Sequence, residues 1–116
     1  MLTTNTIRDL LTDAPNPVLS LYLHVDPGYQ PNQNEPRGWT IYVKNALRDV
    51  ENELGEDNAA LYKNIRQSVE NFVADYTPTG KSLALFVGED DYLEAFDIPV
   101  AIKNQHAFGA IDLVPM

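Results

Sequence analysis

Residues 18–25, Val-Leu-Ser-Leu-Tyr-Leu-His-Val, form an almost unbroken apolar, β-rich run. Such a run suits one position above others, an interior strand covered on both faces. A second feature follows at once. From Asp26 to Gly38 the chain carries no aliphatic residue, and then an amphipathic helix begins. Connections in compact domains have a median of ~4–6 residues, and longer structureless ones tend to be either binding loops or disordered. The loop is therefore the first place to look for function.

On either side the pattern is regular. Thr4 or Asn5 can cap a short helix with Ile7, Leu10 and Leu11 on one face, ending before Pro15 and Pro17. From Trp39 to Leu54, apolar residues recur at Val43, Ala46, Leu47, Val50 and Leu54, with Gly55 as the stop. A second helix, capped by Asp57, aligns Leu61, Ile65, Val69, Phe72 and Tyr76 until Thr77-Pro78-Thr79-Gly80 breaks it. Ser82 to Val87 and Tyr92 to Ile98 flank Gly88-Glu89-Asp90-Asp91, which predicts an antiparallel hairpin. His106 to Val114 supplies a last strand, weakened by Gly109. The expected fold is a single α/β (α+β) domain over residues 1–116, in the order α-β-α-α-β-β-β. Its sheet is mixed, mainly antiparallel and of about four strands, with the two longer helices on one face.

A chain of 116 residues with 44% hydrophobic content can bury a core without covalent staples. It contains no cysteine, which removes disulfides, thiolate nucleophiles and sulfur-ligated zinc and fits a cytoplasmic location. The N-terminus lacks a basic, then apolar, leader, and no window approaches the ~18 apolar residues of a membrane span. Neither secretion nor a membrane is expected. The net charge of −9 opposes general phosphate-backbone binding, and DNA is not an expected partner. The charge is uneven, however. Residues 1–36 carry one base and four acids, residues 37–66 five of each, and residues 67–116 two bases and eight acids. Any contact with a polyanion should involve the middle segment.

Catalytic patterns are scarce. His24 and His106 are the only histidines, and neither has metal-ligand spacing. Glu89, Asp90 and Asp91 read as a solvated turn, and Glu94 and Asp97 fall on opposite faces of their strand. The phosphate-loop, dinucleotide and nucleophile-elbow signatures are absent. A hydrolase built on His24 and Asp26 has no paired nucleophile, so no enzyme activity, cofactor or metal is expected.

The cations are more informative. Lys44 and Arg48 lie together at helical spacing, and Arg37 joins them if the helix extends back to it. They would point outward beside the loop from Tyr29 to Arg37, where Asn32, Gln33 and Asn34 offer amide donors and acceptors and Trp39 stands at the exit. Arg37, Trp39, Lys44, Arg48, Tyr29 and Asn34 are thus the candidate RNA-binding residues, set for a phosphate or an unstacked base. The competing readings are ordinary ion pairing with Asp49, Glu51 and Glu53, and Trp39 as a core anchor.

Four blocks together resemble a known family. They are Asn16 to Leu23, Asn34-x-x-Arg37 leading into Lys44-Asn45-Ala46-Leu47-Arg48, Gly80 to Phe86, and Tyr92 to Val100. Across residues 16–115 the pattern is similar to the N-terminal domain of bacterial proteins related to the archaeo-eukaryotic class I peptide chain release factors. In the larger members of that group a middle and a C-terminal domain follow; in the archaeo-eukaryotic factors the N-terminal domain reads the stop codon and a Gly-Gly-Gln loop of the middle domain promotes peptidyl-tRNA hydrolysis. This sequence has no Gly-Gly-Gln, and Asn64-Ile65-Arg66-Gln67 only partly echoes the codon-reading Asn-Ile-Lys-Ser, so no decoding residue carries over. The resemblance implies a translation-linked domain with the ribosome or tRNA as partner. The alternative is a protein-interaction or self-associating module using its acidic C-terminal half or a strand edge near residues 106–114.

Overall fold

The computed structural model describes residues 15, 17–33, 35, 37–54 and 59–109. The N-terminal helix expected around Ile7 to Leu11, the Gly55 stop and the Asp57 cap lie outside the described residues, as do Asn34 and the strand continuation to Val114. Within them, β1 (Val18–His24) leads through a short 3-10 turn (Gln30–Asn32) to α1 (Gly38–Glu53) and α2 (Ala59–Asp75). The strands β2 (Ser82–Gly88), β3 (Leu93–Ile98) and β4 (Gln105–Gly109) follow. The sheet order is β3-β2-β1-β4, with β1 inside it. All three pairings are antiparallel, so the parallel component of the expected mixed sheet does not occur among the described residues.

Alternation along β1 explains why the run is apolar throughout. Leu19, Leu21, Leu23 and Val25 join Leu83, Leu85 and Val87 of β2 in the core beneath the helices. Val18 and Tyr22 face the other way, with Ala84, Phe86 and Ile98, and form a second buried cluster. Both faces of the central pair are therefore dry, the situation in which a strand has no polar side to show.

The helices lie on the first face. From α1 come Trp39, Val43, Ala46, Leu47 and Val50, and from α2 come Tyr62, Ile65 and Val69, with Leu61, Phe72, Val73 and Tyr76 partly buried against them. Tyr62 was not in the expected α2 stripe, yet it is among the most buried side chains, and its hydroxyl donates to the Leu47 carbonyl at 2.5 Å. That bond ties α2 to α1. Arg66 of α2 adds ion pairs to Glu51 of α1 and to Glu70 of its own helix, at half-exposed positions where such pairs contribute about 0–1 kcal/mol. Between the helices it is packing and the Tyr62 bond, more than charge, that fix the contact.

The β2-β3 turn places Asp90 at φ 58° and Asp91 at φ 62°, two successive left-handed residues of the kind a tight hairpin requires. Asparagine and glycine adopt this conformation with less strain than aspartate does. Asp90→Asn combined with Asp91→Gly should stabilise the fold by about 0.5–1 kcal/mol, read as a higher urea midpoint. An unchanged or lower midpoint would count against a turn-strain account.

Candidate functional site

The polar connection between β1 and α1 is a built corner. Asp26 Oδ1 accepts from the Gly28 amide at 2.8 Å, the Tyr29 amide donates to Asp26 O at 3.0 Å, and the Asn32 amide donates to Tyr29 O at 2.8 Å. Gln33 Nε2 then reaches back to Gly28 O at 3.1 Å. Nearly every turn of the loop is closed on itself.

Asn32 locks the corner to the rest of the fold. Its side chain is 2% exposed. Nδ2 donates to His24 O at 2.9 Å and Asp26 O at 3.0 Å, while Oδ1 accepts from the Trp39 amide at 3.0 Å. One amide thus satisfies the end of a strand and the start of a helix, backbone groups that cannot be left dry and unpaired. Pro31 packs so closely on the helix start that a Cβ at position 38 would lie 2.9 Å from Pro31 O, which is why glycine stands there. Asn32 and Gln33 were read from sequence as donors and acceptors for a ligand. Instead Asn32 is taken up by the end of β1, by Asp26 and by the start of α1, and Gln33 Nε2 by the loop itself.

The candidate residues separate into groups. Trp39 is only 3% exposed, packed in the helix-facing core and edge-on to Tyr76 with centroids 5.8 Å apart, so it has no ring face to offer an outside base. Arg37 does not belong to the helix. It is the N-cap residue in extended conformation, because α1 begins at Gly38, and its Nε pairs with Glu35 at 3.2 Å. Lys44 and Arg48 are exposed on α1 one turn apart, and neither is ion-paired to a carboxylate among the described residues; Arg48 instead donates to Asn45 Oδ1 at 3.2 Å. Ile41, on the same outward side, is 44% exposed. Lys44 also borders an open groove of about 350 Å³ between the helices, together with Leu47, Arg66 and Val73. Asn34 lies outside the described residues.

Tyr29 is 43% exposed, and its ring stacks on His24 with centroids 4.0 Å apart and planes 26° from parallel. His24, which the sequence offers only as a hydrolase residue without a paired nucleophile, has a structural place here. Its backbone amide donates to Asn104 Oδ1 at 2.7 Å, and its ring serves as a support for Tyr29. Sequence reasoning missed this pairing. The available signal was position, since His24 ends β1 and Tyr29 sits one turn beyond it.

The remaining titratable contacts are structural. Tyr42 shares a 2.7 Å hydrogen bond with His106 Nδ1, joining α1 to β4, and burial, with the Asp49 charge, raises its hydroxyl above the usual tyrosine value. Burial also raises Tyr76, whose hydroxyl donates to Asp97 Oδ1 at 2.6 Å. Tyr62 is pushed up to about 12, by burial first, with Glu51 and Glu70 reinforcing and Arg66 opposing. Since the unfolded hydroxyl titrates near 10, the folded state keeps a proton that the unfolded state has lost. Stability contributed by Tyr62 is complete below pH 10 and falls as the pH rises towards 12. Tyr62→Phe should cost about 1 kcal/mol at pH 7 and flatten the alkaline loss in urea titrations at successive pH values. An alkaline slope as steep as that of wild type would show that Tyr62 does not carry it.

Among the described residues, no group of three or more His, Asp or Glu is placed to hold a metal ion, and no helix is long and apolar enough to cross a membrane. No protein-family model matches the chain, and no curated protein matches it.

Proposed function

We propose that the chain is a non-enzymatic, translation-linked domain of the release-factor-like kind it resembles, contacting ribosomal or transfer RNA through the outer side of α1 and the loop that precedes it. One observation supports this most. In a chain of net charge −9, Lys44 and Arg48 stand exposed on one helix face and are not ion-paired to a carboxylate among the described residues. Cations so placed can exchange counterions for phosphates. Arg37, the N-cap residue just before α1, belongs to the loop, and its exposed pair with Glu35, worth about 0–1 kcal/mol, can yield to a phosphate.

The experiment is fluorescence anisotropy with a labelled structured RNA at low salt. Wild type should bind, and Lys44→Glu with Arg48→Glu should weaken binding by at least about tenfold. Absence of binding by wild type, or equal affinity of the double variant, would remove the RNA reading. The alternative, self-association through a strand edge, draws on the position of β4, which ends the described sheet order with β1 as its neighbour there. Light scattering over a concentration series separates the two, since a mass that grows with concentration favours the alternative.

A further inference from the structure

We infer that Tyr29, backed by His24, is a stacking platform for an unpaired base, so that the domain selects RNA with an exposed nucleotide over continuous duplex; this deepens, and rests on, the RNA reading above. Tyr29 is anchored through its backbone and on one ring face. Its amide donates to Asp26, its carbonyl accepts from Asn32, and one ring face lies on the imidazole of His24. Yet the residue is 43% exposed and outside both buried clusters. His24 lies against one face of the ring, and the opposite face is the one assigned to a base. An aromatic surface kept in water adds little to folding, whereas it suits a planar partner, because every base has a π-face.

The surrounding charge says which part of a nucleotide belongs there. Asp26, anchored to the Gly28 amide three residues before Tyr29, places a carboxylate in the same turn and disfavours a phosphate at that point. Lys44 and Arg48, not ion-paired to a carboxylate among the described residues, lie further on. Pro31 of the same loop packs on Gly38, and Lys44 follows about 9 Å along α1 at the usual helical rise. Base on the tyrosine and phosphates along the helix is therefore the orientation the charges favour. His24 acts as a positioning residue, holding the ring's angle from behind.

The test compares two labelled RNAs of equal length at one low salt concentration, a hairpin with an unpaired loop and a blunt duplex. Wild type should prefer the hairpin by about tenfold. Tyr29→Phe should keep the preference, and Tyr29→Ala should abolish it while leaving duplex affinity in place. Tyr29→Leu, which still covers His24 but has no π-face, should behave like Tyr29→Ala, with the urea midpoint of each variant confirming its fold. Equal affinity of wild type for the two RNAs, a preference that persists in Tyr29→Ala, or parallel losses on both RNAs would overturn the platform while leaving the RNA reading intact. No binding of either RNA by wild type would overturn both.

Discussion

Asn32→Ala should lower the unfolding free energy by about 3 kcal/mol, seen as a large drop in urea midpoint with little change in slope. The substitution removes three hydrogen bonds from a side chain that is 2% exposed. More important is what it strands. The Trp39 amide, at the start of α1, and the His24 carbonyl lose the partner that Asn32 supplies, while the Asp26 carbonyl keeps the Tyr29 amide; an unsatisfied buried group costs about 1–3 kcal/mol. Gln33→Ala, removing a single exposed contact to Gly28, is the control and should cost less than about 0.5 kcal/mol. If the two substitutions were equally mild, Asn32 would not be what holds the corner.

The second large effect is in the core. Ile65→Ala should cost about 3–4 kcal/mol, because Ile65 is completely buried where α2 meets the sheet and a truncated isoleucine leaves a cavity there. This residue is the isoleucine of the partial Asn64-Ile65-Arg66-Gln67 echo. Its burial, and the engagement of Arg66 by Glu51 and Glu70, give both residues structural work. A cost below about 1 kcal/mol in urea unfolding would mean that α2 packs less tightly than the structure shows.

What was legible in the sequence, and what was not, divides along a physical line. β1 could be read because a strand dry on both faces leaves no polar alternation, and α1 because its apolar residues return every turn. The hairpin could be read from four consecutive turn-forming residues. Tyr62 was passed over because Leu61 fits the same helical stripe, and only the position of the neighbouring helix decides which of two adjacent residues is buried. The loop was the hardest. A polar run shows that a segment avoids the core, but not that one of its amides is buried to close a strand and a helix, since Asn32's partners are set by tertiary closure. For the same reason Trp39 looked available beside the loop and is in fact beneath it. Arg37 failed on a single residue of helix register.

The central claim is that Lys44 and Arg48, exposed on α1, are open to a polyanion. Its most direct test is the slope of log affinity against log salt for a structured RNA, measured for wild type and for Lys44→Glu with Arg48→Glu. Each phosphate neutralised contributes about 0.7–0.9 to that slope, so the double variant should be shallower by about 1.4–1.8. Two parallel lines would contradict the claim, for they would mean that Lys44 and Arg48 meet no phosphate.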